Sequence, residues 1–342
     1  MIIIDASVLK HLVIHSRGTN EQILKNPKSF AHYFLNYILS YKTRFNCSKL
    51  NPIVLAVDCR GIFRKEDGQE IGRNYWRQKY YNNDIMLENV GYKGHRKKDE
   101  KDEIDWATIE EVFNSILDVL DKHSDIIVVK VPFLEADDVM SICAEYYTLK
   151  QSNIDIIAVT HDKDMVQIIK ENSKIKLYNP FTNKYITESM TQEEKILFYL
   201  SGDASDGIPP VKAKTREKSW KKLLSKKTLK EIFEEEPILR ERFKINKKIM
   251  DLQVSNLPKK LVEIVNNKLE QNNFNYKELY LIKELKRFNL AEFVESKHLA
   301  IDLRYKEFKL EEGRESDSLN TKRKYINNND FKTSQILKEF KH

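Results

Sequence analysis

Acidic residues gather in five places within the first 206 residues of this 342-residue chain, and their spacing suits metal-assisted hydrolysis. The densest group is Glu135-Ala136-Asp137-Asp138, at the start of a helical pattern that follows a buried apolar run. Acids at a helix N-terminus ordinarily cap it and complement its dipole, at about 0.3–1 kcal/mol each. Three are more than a cap needs, because their mutual repulsion raises proton affinity unless a cation sits among them. Asp162-Lys163-Asp164 is the second group and directly follows the apolar run 154–159; alone, D-x-D at a strand end is common turn composition. Gly202-Asp203-Ala204-Ser205-Asp206-Gly207 is the third, with acids three apart that one helical turn would set on one face. Asp5 and Asp58 each close an apolar run, a place where a single Asp is often only a cap.

These nine carboxylates imply a hard, oxygen-ligated cation, magnesium with manganese as a substitute. Two such ions would activate a water and stabilise the attacking and leaving oxygens of a phosphodiester in an in-line displacement, so no separate nucleophile or histidine base is required. Other metal chemistry is not expected. The three cysteines, Cys47, Cys59 and Cys143, have no C-x-x-C spacing, and the eight histidines are read as scattered.

Four short Ile- and Val-rich runs, 1–4, 53–57, 126–129 and 154–159, have the length of buried strands. Helical spacing fills 30–41, 106–120 and 138–149 between them. That alternation predicts an α/β fold, a mostly parallel central sheet with helices on both faces. Functional residues in such sheets collect at the carboxyl ends of the strands, which is where Asp5, Asp58, the 135–138 acids and the 162–164 acids fall.

Residues 60–105 break the alternation and read as a basic insertion. They hold five of the nine glycines and several aromatics, and between Arg60 and Lys98 ten Lys or Arg stand against five acids. Such a segment suits a grip on single-stranded nucleic acid by phosphate pairing and base stacking, a solvated charged loop being the competing reading. After Gly207 the strand-like runs cease. The expected division is a nuclease unit over 1–207, a helical DNA-binding unit over 208–305 and a polar tail over 306–342. No apolar run approaches the roughly 18–20 residues of a membrane span, and no signal peptide is visible, so no membrane partner and a cytoplasmic protein are expected. The net charge of +7 is compatible with a nucleic-acid partner without requiring one.

The order Asp5, Asp58, Tyr92-Lys93-Gly94-His95-Arg96, Glu135-Ala136-Asp137-Asp138, Asp162-Lys163-Asp164 and Gly202-Asp203-Ala204-Ser205-Asp206 resembles the flap endonuclease and 5′-3′ exonuclease family over about residues 1–222. Within it, Tyr75-Trp76-Arg77 makes the RNase H of T-even bacteriophages the nearest group. The resemblance implies a helical arch in the insertion and two metal clusters. The first would use Asp5, Asp58, Glu135, Asp137 and Asp162; Asp138, Asp164, Asp203 and Asp206 would lean to the second. Lys93 and Arg96 would touch the scissile phosphate as catalytic groups and Tyr92 would stack on an unpaired base, with Arg73, Trp76 and Arg77 also expected on nucleic acid. The substrates implied are DNA with a 5′ flap, a nick or an RNA primer, and the host bacterial cytoplasm is the implied setting.

One stretch departs from the family. The glycine-rich hairpin that commonly follows the G-D-x-x-D motif and holds a monovalent cation is replaced by 208–216, which has no glycine. That puts the cation site in doubt and leaves Lys212, Lys214, Arg216 and Lys218 to hold duplex phosphates by charge, against the reading of a solvated basic face. Residues 335–340 carry a small apolar face of the kind that docks on sliding clamps or single-strand-binding proteins, although the spacing suits a simple terminal helix better. A PIN-like ribonuclease and a catalytically inert DNA-binding protein on the same scaffold are the alternative functions; the first expects fewer acids, the second gaps in the set.

Overall fold

A computed structural model describes residues 1–47, 51–64, 70–78, 93, 103–151, 154–170 and 174–271. Its centre is a six-stranded sheet in the order β5-β2-β1-β6-β7-β8: β1 (Ile2–Asp5), β2 (Ile53–Val57), β5 (Ile127–Lys130), β6 (Ile156–Val159), β7 (Ile175–Asn179) and β8 (Lys184–Ile186). All neighbours pair in parallel except β8, which turns back antiparallel on β7. β3 (Gly61–Arg64) and β4 (Glu70–Asn74) form a separate antiparallel pair within the basic insertion.

Strand alternation sorts the apolar residues into two cores. Ile2, Ile4, Leu55 and Val57 face one layer with Phe34, Ile38, Phe113 and Ile116, from α3 (Phe30–Arg44) and α4 (Trp106–His123). Ile3, Val54, Ala56 and Val129 face the other, with Val139, Met140 and Cys143 of α5 (Ala136–Lys150). A strand covered on both faces must be apolar at every position, which is why these runs show no polar alternation. Two further helices precede α3, α1 (Ala6–His15) and α2 (Arg17–Lys25). The expected mostly parallel sheet between helical layers is the architecture found.

Helices from both sides of residue 207 meet in two different cores. α6 (Gln192–Ser201) contributes Leu197 and Leu200 to a small core with Val211 and with Trp220, Ile232, Phe233 and Leu239, the last four drawn from α7 (Glu217–Leu224), α8 (Leu229–Glu235) and α9 (Pro237–Met250). α10 (Lys259–Glu270) instead returns to the sheet layer, burying Leu261, Val265 and Leu269 there. Lys268 of α10 ties it to Asp121 of α4, at 2.7 and 2.8 Å from its two oxygens. Amphipathic helices show in sequence which face is apolar, not which of two cores takes it. The tail over 306–342 and the apolar face at 335–340 lie outside the described residues.

Candidate metal centre and nucleic-acid interface

Asp5, Asp162 and Asp203 are each placed by a local device that engages one carboxylate oxygen. Asp5 caps α1, its Oδ1 accepting from the Ser7 and Val8 N–H groups at 3.0 Å each. Asp162 caps the short 3-10 turn Lys163–Ile168 in the same way, Oδ1 accepting from Asp164 N–H at 2.8 Å. Asp203 takes the Ser205 N–H and hydroxyl on Oδ1, at 2.8 and 2.6 Å. One oxygen satisfies the backbone while a carboxylate has further lone pairs to offer, so capping and cation binding are compatible roles.

Asp58 bridges two layers. Its Oδ2 accepts from the Ser7 hydroxyl at 2.5 Å and its Oδ1 from the Ala136 N–H at 2.8 Å, tying the starts of α1 and α5 to the end of β2. Ser7 was not singled out in the sequence; a Ser two residues after a strand-end Asp is the signal that marks it.

The turn into α5 is held tightly. Phe133 has φ +73°, a left-handed conformation unfavourable for a bulky residue, and its carbonyl accepts from the Trp76 N–H at 2.9 Å. Its ring lies against Gly61, where an added Cβ would come within 2.3 Å. Cys59 N–H donates to the Leu134 carbonyl at 2.9 Å. Glu135, Asp137 and Asp138 emerge from this turn with ligand oxygens within 4.8 Å of one another. On the far side, Gly202 turns the chain before Asp203 at φ +66°, where a Cβ would meet the Pro209 carbonyl oxygen at 2.4 Å.

Two built-in cations serve the 135–138 group. Arg77, 1% exposed, donates to Glu135 Oε2 at 2.6 Å, to both oxygens of Asp138 at 2.7 and 2.8 Å and to the Ile249 carbonyl at 2.7 Å. The Trp76 indole N–H donates to Asp138 Oδ2 at 2.9 Å, and the Glu135 N–H to the same oxygen at 3.2 Å. Asp138 is therefore fully engaged inside the protein, and it performs the helix-capping role weighed as the plainer reading of its group. Trp76, also 1% exposed, and Arg77 correct the expectation that they meet nucleic acid: both are core residues of the 135–138 turn. The second cation, Lys93, ion-pairs with Glu135 and lies 3.5 Å from Asp206 Oδ2.

The field among the remaining acids is strongly negative. Burial and repulsion from Asp58 and Asp162 push the Asp5 carboxyl up to about 7, and burial with repulsion from Asp162, Asp203 and Asp206 pushes Asp164 up to about 7. Burial likewise raises Asp137 well above the usual range, against the pull of Arg77 and with Asp138 and Glu135 adding to it. For Lys93, burial favours the neutral amine, but Glu135, Asp137 and Asp206 outweigh it and hold the ammonium above its ordinary range. The structure thus brings all nine predicted acids into one connected field.

The nucleic-acid candidates are less uniform. Arg73 stands on β4, while Tyr92 and Arg96 lie outside the described residues. Lys214, Arg216 and Lys218 are exposed, and Lys212 pairs with Glu236 at 2.5 Å. The histidines are not all scattered: His11 and His15 stand one turn apart on α1 with ring centroids 5.9 Å apart, an H-x-x-x-H spacing missed in the sequence. Among the described residues no third ligand joins them. No described helix is long and apolar enough to cross a membrane.

Comparison with known proteins follows the same lines. Residues 1–197 match the family model described as 5′-3′ exonuclease, N-terminal resolvase-like domain. A 5′-3′ exonuclease of Buchnera aphidicola from Acyrthosiphon pisum is 38% identical over 89 residues, 24% of this chain and 30% of that protein. A DNA polymerase I of Lactococcus lactis subsp. cremoris is 35% identical over 100 residues, 26% of this chain and 11% of that one. The matched stretch thus spans under a third of these curated relatives. Among solved structures, bacteriophage T5 5′-exonuclease with bound zinc superposes with a TM-score of 0.56 at 14% identity, covering 80% of this chain and 99% of that one. A bacteriophage T5 flap endonuclease in a pseudo-enzyme–product complex with DNA and metal ions gives 0.55 at 14% identity, covering 79% and 98%. At this identity the likeness is one of fold.

Proposed function

The chain belongs to the 5′-3′ exonuclease family, and on that premise we propose that it is a divalent-metal-dependent 5′ nuclease, cutting phosphodiester bonds at or near the 5′ ends of DNA. The observation that carries this reading is the convergence of acids from β1, β2, the starts of α5 and the 3-10 turn, and the loop after α6, with Asp5 and Asp164 raised to about 7 by burial and by the neighbouring acids. Such a site is under-neutralised by the protein itself. The donor set fits a hard divalent ion, magnesium first and manganese as its substitute, with Asp5, Asp58, Glu135, Asp137, Asp162, Asp164, Asp203 and Asp206 as the residues to hold it. Asp138 is proposed as an anchor instead, because Arg77 and Trp76 occupy its oxygens. Bound there, the metal supplies a water of lowered pKa and positive charge for the phosphate.

The chain's own groups do the rest. Lys93, with Arg96, offsets charge on the phosphate oxygens and orients the scissile bond, and Tyr92 stacks on an unpaired base. Lys212, Lys214, Arg216 and Lys218 hold duplex backbone by charge, in place of a bound monovalent cation. We read the substrates as 5′ flaps, nicks and RNA primers of replication intermediates, the last from the Tyr75-Trp76-Arg77 likeness to the T-even RNase H group. Work in a bacterial cytoplasm and contact with a clamp or single-strand-binding protein belong to the same reading.

Labelled nicked, flapped and RNA-primed duplexes incubated with the protein in magnesium, with and without chelator, test it. Cleavage of at least one, suppressed by chelator, is expected. No cleavage of any would overturn the proposal, and cutting of single-stranded RNA without a 5′ end would turn it to a PIN-like ribonuclease.

A further inference from the structure

Glu135 is shared between two cations with different degrees of confinement. Arg77 takes Oε2 at 2.6 Å, its side chain 2% exposed and its other donors committed to Asp138 and the Ile249 carbonyl. Lys93 takes Oε1 with a side chain 23% exposed. The first is walled in; the second has a path to solvent.

The backbone delivers Lys93 to this place. Its φ of +56° is a left-handed conformation that costs a non-glycine residue about 1–2 kcal/mol, so something must hold it. The Lys93 N–H donates to the Asp206 carbonyl at 2.9 Å, and the ammonium lies 3.5 Å from Asp206 Oδ2. One residue of the basic insertion is thus pinned by its main chain to the loop after α6 and by its side chain to the start of α5. Its positive charge lies between Glu135 and Asp206, two acids assigned above to the metal.

We propose that Lys93 is an exchangeable counter-cation of the metal centre: it neutralises Glu135 and Asp206 in the metal-free protein, and a divalent ion entering there displaces its ammonium. The inference rests on the metal reading above. An ammonium and a divalent ion repel each other and want the same oxygens, and the divalent ion carries twice the charge. The lysine stem has four flexible methylenes, so the head can leave while the main chain stays bound to Asp206. Arg77, fixed by its planar fork, stays in either state and keeps Glu135 and Asp138 in place.

Exchange links two events. Metal loading frees the ammonium for a phosphate, so the grip on substrate strengthens when the metal arrives. By reciprocity, a phosphate that draws Lys93 away from Glu135 tightens metal binding by the same factor.

The test needs no cleavage. Ca2+ alone is titrated by calorimetry into the full chain and into Lys93→Met, without nucleic acid. Removal of the competing charge is expected to tighten Ca2+ binding about tenfold, the size of one partly buried charge pair. Equal or weaker binding by the variant overturns the exchange while leaving the metal reading intact, and absence of Ca2+ binding by both proteins overturns the two together. Should Lys93→Met fail to fold, the wild-type chain is acylated with an amine reagent and read by mass spectrometry. Ca2+ is expected to speed labelling of Lys93 and leave Lys214 unchanged, and an unchanged rate at Lys93 overturns the proposal.

Discussion

Arg77 and Asp138 meet in a two-point ion pair, Nη2 to Oδ1 at 2.7 Å and Nη1 to Oδ2 at 2.8 Å, with both side chains buried. The pair joins the segment after β4 to the start of α5, and Arg77 Nη1 continues it to Glu135. A residue expected on the nucleic acid thereby becomes the internal support of the acids that face it.

Truncating one member of this pair leaves the other buried and uncompensated. Arg77→Met or Asp138→Leu is expected to cost about 3–5 kcal/mol in urea unfolding, and the double change Arg77→Met with Asp138→Leu less than the sum of the two. Full additivity in the cycle would show that the ion pair contributes nothing beyond its parts.

Asp162 and Asp203 cap a turn and a loop through Oδ1, a role that asparagine also performs. Asp162→Asn and Asp203→Asn should therefore fold normally, lose cleavage by on the order of 100-fold or more, and retain DNA affinity measured in Ca2+. Full activity in both variants would move the catalytic site elsewhere.

Asp5 and Asp164 are raised to about 7, above their values in an unfolded chain, so the folded protein binds more protons between about pH 4 and 7. Their contribution to stability is present at the acid end of that window and is lost as pH rises through 7. In chelator, the melting temperature should fall between pH 5.5 and 8 by these groups' contribution, about the range where they ionise. Ca2+ should remove most of that fall. A melting temperature with the same pH dependence in chelator and in Ca2+ would count against a metal at these acids.

Lys214, Arg216 and Lys218 project from the turn before α7 and from its first residues. Replacing all three by Gln should weaken duplex binding equally across sequences and flatten the salt dependence of log K by up to about 3 units of slope, near 0.9 per phosphate contact. An unchanged slope in filter-binding or anisotropy titrations would mark this as a solvated basic face.

The parallel sheet was legible because each central strand is buried on both sides: an Ile- and Val-rich run between polar segments has few other places to go. The acids were legible for a related reason, since a charge directly after such a run emerges at the sheet's carboxyl edge whatever the strand order. β7 and the edge strand β8 escaped notice, their Ile175–Asn179 and Lys184–Ile186 segments mixing lysines with apolar residues.

By itself, then, the sequence determined the α/β class and the edge on which the acids meet, because these follow from local patterns of burial and charge. Only the tertiary structure decided which charges pair within the site. Arg77 lies 58 residues from Glu135 and 61 from Asp138, and Lys93 lies 42 from Glu135. At those separations no spacing in the chain distinguishes an arginine bound for a phosphate from one that the fold buries against two carboxylates. The same holds for α10, whose apolar stripe fits either core and joins the sheet layer through Leu261, Val265 and Leu269.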